Sequence, residues 1–176
     1  MSDSDPGLLR DRVETAQERF QYGQGAVEAG LGDPDSDAIG QLRKACRLLA
    51  AARSLRAANG YHTAAVELSF GAIERSFEFF VLALSTDTIR DFDDHTYAYQ
   101  RAFELGVISG ALRDDYRSLY NEYRTESYYG DRQVREGEAD AMFDLAVTTH
   151  EFLRDHPTEH YDCLCEQSML IRRELK

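Results

Sequence analysis

Between His62 and Leu84 the chain is apolar nearly all round, and its polar members Glu67, Gly71, Glu74 and Glu78 collapse onto one narrow stripe at about 100° per residue. A helix of that kind has no face it can leave in water except the stripe, so other helices must enclose it. It therefore predicts the buried central helix of an all-α bundle. Asn59 to Tyr61 leave room only for a tight turn, which makes this helix one arm of an antiparallel hairpin. The other arm runs from an N-cap at Asp37 to about Ala58.

Around that hairpin the remaining periodicities are helical too. Leu9, Val13, Ala16, Phe20 and Val27 recur at helical spacing, weakened by Gly23 and Gly25, and the breaker cluster Gly30-Leu-Gly-Asp-Pro-Asp-Ser-Asp follows. After a polar loop over 85–94 come a short helix near His95 to Leu105, a break at Gly106 to Gly110, and a helix from about Ala111 to Ser127. The last strong helix runs from about Glu136 to Arg154, with Ala139, Met142, Phe143, Ala146, Val147 and Leu153 on one face. No alternating strand pattern occurs. The expected architecture is an antiparallel bundle of five to six helices, divided into an N-terminal helix and linker (1–36), the bundle (37–155) and a C-terminal tail (156–176).

Composition narrows the function. No apolar run approaches the roughly 18 residues that cross a bilayer, and the N-terminus lacks the basic and apolar regions of a signal peptide, which predicts a cytoplasmic protein without a membrane partner. Thirty-two acidic residues against twenty basic give a net charge of -12, so any contact with nucleic acid requires the cations to be segregated. Lysine occurs only at Lys44 and Lys176. Acid excess with little lysine suits solvation at high salt and points to a halophilic source.

Segregated cations are found in two places. On the helix from Ala111, Arg113, Arg117 and Arg124 share a face with Tyr120, while Asp115 and Glu122 lie away from it and Leu112, Tyr116, Leu119 and Tyr123 cluster on the core side. This stripe can hold phosphate or be a solvated face paired with neighbouring acids. Arg43, Lys44 and Arg47 lie opposite the apolar arc of the second helix, and no acidic residue occurs between Ala38 and Val66. His62 opens the central helix near that basic arm. The loop Asp91-Phe-Asp-Asp94 is of the type that caps a helix.

The segment Arg124-Thr-Glu-Ser-Tyr-Tyr-Gly-Asp131 resembles the Arg-x4-Tyr-Gly-Asp ending of the penultimate helix in a subgroup of the HEPN domain family, with Arg124, Tyr129, Gly130 and Asp131 at the matching positions. Upstream, Tyr61-His-Thr-Ala-Ala-Val-Glu-Leu-Ser-Phe resembles that family's central helix, and His95, Phe103 and Gly106 its short middle helix. The resemblance spans roughly Ala38 to Leu153. It implies a HEPN-like bundle, a homodimer, and a place in a toxin–antitoxin or defence system, with RNA and a small nucleotidyltransferase antitoxin as partners.

Ribonuclease members of that family pair an arginine with a histidine four to six residues later and cleave RNA without metal. Here no histidine lies between Arg124 and His150, and Tyr128 or Tyr129 stands in its place, which implies weak or absent cleavage. The resemblance marks Arg124, Tyr128 and Tyr129 as catalytic candidates, the tyrosines also as acceptors of an attached nucleotide. Alternatively, Tyr129-Gly130 only ends a helix, with Gly130 as its left-handed cap. His150, on the apolar face of the last helix, reads as a satisfied core histidine. Three cysteines are too few for a disulfide framework. No cofactor is expected, although His156, His160, Cys163 and Cys165 place four zinc-ligand types within ten residues of the tail. Two readings stand beside the HEPN one: a non-catalytic protein-interaction module, and a zinc-binding regulator built on that tail.

Overall fold

The computed structural model describes residues 6–23, 25–58, 60–126 and 130–165. It is helical throughout, with no strand among the described residues: α1 (Pro6–Tyr22), α2 (Asp37–Ala57), α3 (His62–Leu84), α4 (Tyr97–Glu104), α5 (Gly110–Ser118) and α6 (Glu136–Asp155). The chain divides into two compact units, Met1–Gly32 and Asp33–Lys176. In the first, α1 carries no buried residue, and Leu9, Val13 and Phe20, expected to form an apolar face, are exposed.

The second unit is built on α3. This helix packs against α2, α6 and α4 and buries Phe70, Ile73, Phe77, Phe79, Phe80 and Val81. Its hydroxyls are compatible with that environment because Ser69 and Ser76 donate to the carbonyls of Ala65 and Ala72 one turn back. The α2–α3 turn is as tight as the sequence predicts, with Gly60 at φ +87°. Close approach of the two arms depends on Gly71, where a Cβ would meet Leu48 Cδ1 at 3.3 Å. The N-cap of α2 is Ser36, whose Oγ accepts from the Ile39 amide; Asp37 falls in the first turn, where a carboxylate suits the helix dipole.

An aromatic knot joins α3 to α4 and α5. Phe77 meets Tyr99 and Tyr116 edge-on, each with ring centroids 5.0 Å apart, and the Tyr116 hydroxyl hydrogen-bonds Thr149 on α6 at 2.7 Å. The loop before α4 is fixed by carboxylates: Asp94 accepts from the Thr96 amide and hydroxyl, Asp91 from those of Thr88, and Asp87 from Arg101 and the Tyr97 hydroxyl. No helix among the described residues is long and apolar enough to cross a membrane.

Candidate functional site

The polar stripe of α3 is where the bundle departs from an apolar core. Glu67, Glu74 and Glu78 recur on one side of the helix, and the Glu74 side chain is only 5% exposed. A carboxylate buried to that degree needs both charge compensation and hydrogen bonds. Arg124 supplies the first: its Nη1 donates to Glu74 Oε1 at 2.7 Å and its Nε to Glu67 Oε2 at 3.2 Å. The same Nη1 donates to the Tyr120 hydroxyl at 2.7 Å, and the guanidinium lies 4.9 Å from the Tyr120 ring centre. The second Glu74 oxygen faces His95, with Nδ1 to Oε2 at 3.3 Å, and the His95 ring stacks on Tyr120. Burial pushes the Glu74 pKa up, against the opposing pull of Arg124, His95 and Arg75.

Arg124 reaches these acids because its helix changes pitch. From Leu119 to Arg124 the backbone is π-helical, continuing directly from α5. The wider turn holds an extra residue and sets later side chains back by about one position, roughly 100°. A uniform α-helix would have aligned Arg124 with Arg113 and Arg117; the π turn brings it to α3 instead. Of the expected core face, Tyr116 is buried and Leu119 half-buried; Tyr123, inside the π turn, is exposed, and so is Leu112, which lies before the turn in regular α-helix.

Chemically, Glu74 is a bridge between a cation and an imidazole. A carboxylate at Nδ1 selects the tautomer with the proton on that nitrogen, leaving Nε2 as acceptor on a side chain that is 55% exposed. Arg124 retains partial exposure beside it. An open apolar pocket of about 210 Å3 adjoins the cluster through Phe70, whose ring centre is 6.0 Å from the guanidinium; Val66, Leu119, Tyr123, Val134 and Met142 form much of its lining.

Farther along the stripe, Glu78 pairs with Arg75 at 2.5 Å, and burial pushes its pKa up to about 7, with Arg75 and Lys44 opposing the rise and Glu74 adding to it. The folded state therefore favours the protonated form. As pH rises from about 4.5 to about 7 the unfolded chain releases this proton first, so stability falls through that window and the loss is complete above it. Glu78→Gln should flatten the decline in melting temperature between those values. An unchanged slope would show that Glu78 is not the group responsible.

The other sequence candidates are distributed differently. Arg113 pairs with Asp114, donates to Gln100 and lies over Phe103, while Arg117 is exposed. Arg43 and Arg47 are half-buried on α2, Lys44 is exposed, and His62 is half-buried in the first turn of α3. Tyr128 and Tyr129 lie outside the described residues. Gly130 is not in the left-handed region expected of a cap; its requirement is steric, since a Cβ there would come within 2.6 Å of the Glu126 carbonyl oxygen. The four tail residues do not form one group. His156 packs against Phe80 and Phe152, His160 is exposed beside Asp162, and Cys163 and Cys165 converge instead on Cys46 and His150.

Sequence reasoning missed Glu67 and Glu74 as site residues and gave His95 no chemical role. The available signal was the stripe itself, because carboxylates on an otherwise buried helix must find cations.

A family model described as "Domain of unknown function (DUF8154)" matches residues 4–165, and the chain belongs to that family. No curated protein and no solved structure matches it.

Proposed function

We propose that the domain is a HEPN-like, RNA-associated module of the toxin–antitoxin or defence type, working as a homodimer. In this reading His95, oriented by Glu74, takes the part that ribonuclease relatives give to the histidine after the arginine. The observation that supports it is the single carboxylate of Glu74 joining Arg124 to His95. Arg124 would hold a phosphate, and His95 Nε2 would accept the 2′-hydroxyl proton as that oxygen attacks the adjacent phosphorus. The 5′-oxygen leaves and takes up a proton, giving a 2′,3′-cyclic phosphate and a 5′-hydroxyl end. The pocket beside Phe70 and Tyr123 suits a base splayed out of a single strand.

Electrostatics make this site weak. Glu67 and Glu74 already occupy Arg124, so an incoming phosphate competes with Glu67, the more exposed of the two. Glu67→Gln should therefore tighten binding of single-stranded RNA by about fivefold, the scale of one exposed ion pair, and Arg124→Ala should abolish it. Filter binding across a salt series measures both. Equal retention by wild type and Arg124→Ala would overturn the phosphate role.

The neutralised Arg124 and the net charge of -12 favour one competing reading, a non-catalytic module that binds a protein partner. It predicts no RNA retention at any tolerated salt. In the HEPN reading the partner is a minimal nucleotidyltransferase, with Tyr128 or Tyr129 as the acceptor hydroxyl.

A further inference from the structure

Away from the Arg124 cluster, four soft donors meet inside the bundle. Cys46 comes from α2, His150 from α6, and Cys163 and Cys165 from the segment that follows α6. Their donor atoms all lie within 4.8 Å of one another. Cys46 Sγ is 3.2 Å from Cys163 Sγ and 3.5 Å from His150 Nε2; Nε2 is 3.2 Å from Cys163 Sγ and 3.7 Å from Cys165 Sγ. A zinc tetrahedron with bonds of about 2.3 Å to sulfur and 2.0–2.1 Å to nitrogen has edges of about 3.8 Å between sulfurs and about 3.6 Å between sulfur and nitrogen. The observed separations, from 3.2 to 3.7 Å, lie near or somewhat below those edges and far above the roughly 2.05 Å of a disulfide.

The surroundings also fit a ligand set. Ser76 on α3 contacts His150 Nδ1 at 3.1 Å, which fixes the ring and turns Nε2 toward the sulfurs, as an outer-shell partner of a metal-bound histidine does. Arg154 interacts with Cys163, placing a cation beside what would be an anionic three-thiolate centre. Cys46, His150 and Cys163 are buried and Cys165 is half-buried, so water has little access.

We propose that Cys46, His150, Cys163 and Cys165 bind one zinc(II) ion in a closed, structural site. Four protein donors leave no position for substrate, and the sulfur-rich tetrahedral set selects zinc over harder divalent cations. The ion fastens the segment around Cys163 to α6 and to Cys46 on α2, 117 positions away in sequence. Three thiols release their protons on binding. This site is independent of the RNA reading.

The test uses the full chain purified in reductant at high salt. Elemental analysis should find one zinc per chain. Refolding with cobalt(II) should give the intense visible absorption of a tetrahedral centre with near-ultraviolet thiolate charge transfer. Cys165→Ser, at the most exposed ligand, should lose that spectrum while keeping helical circular dichroism, and a His156→Ala/His160→Ala double variant should retain both metal and spectrum. Wild-type protein that takes up neither zinc nor cobalt overturns the proposal. So does stoichiometric metal that survives Cys46→Ser and His150→Ala but is lost from the tail-histidine double variant.

Discussion

Phe77→Ala is expected to remove about 4 kcal/mol of stability, a large share of what a domain of this size possesses. Phe77 is 1% exposed and sits on the helix against which α2, α4 and α6 pack. Its ring is gripped edge-on by Tyr99 and Tyr116, which themselves stack at 5.5 Å. Truncation deletes the ring's burial and leaves a cavity whose lining cannot collapse, because Tyr116 is anchored through its hydroxyl to Thr149. Phe20→Ala, at a side chain 90% exposed on α1, should change stability by less than about 0.5 kcal/mol. Chemical denaturation at fixed high salt compares the two. Similar midpoints for both variants would mean that α3 is not the centre of the core.

The next largest effect is expected at Arg124. Arg124→Ala should cost about 3 kcal/mol at neutral pH, because it removes the strongest of the cations that compensate the buried Glu74 carboxylate, leaving His95 and Arg75. The sign of its pH dependence identifies the cause. Burial already raises the Glu74 pKa, and losing Arg124, which pulls it down, raises it further. The penalty should be largest above the folded pKa and shrink toward zero as pH falls below the ordinary carboxylate range, where Glu74 is neutral in both states. Adding Glu74→Gln to Arg124→Ala should restore part of the lost stability. A penalty independent of pH, unrelieved in the double variant, would assign the loss to packing of the guanidinium on Tyr120 and Phe70 instead.

What could be read from the sequence follows from what is local. The α2–α3 hairpin, the central burial of α3 and the face of α6 with Ala139, Phe143, Ala146 and Leu153 all come from periodicity within one segment, and the structure has them. Positions that depend on neighbours were less legible. The arginine stripe holds only for a uniform helix, and the π turn over Leu119–Arg124 breaks that register. His95 joins Arg124 only because the capped loop before α4 lies against α3. The cysteines of the tail point to a metal by residue type, but their partners are not the tail histidines: Cys46 sits on α2, 117 positions away from Cys163, and His150 on the apolar face of α6. His150 is buried as an apolar-face histidine should be, yet its neighbours are three thiols and a serine rather than a generic core.

The measurement that bears most directly on the Arg124–Glu74–His95 account is cleavage of end-labelled single-stranded RNA by the full chain at high salt without added metal. The account predicts slow cleavage that leaves 2′,3′-cyclic phosphate ends and drops by about 100-fold in His95→Ala. RNA that stays intact with wild-type protein, or is cut equally by His95→Ala, would contradict it.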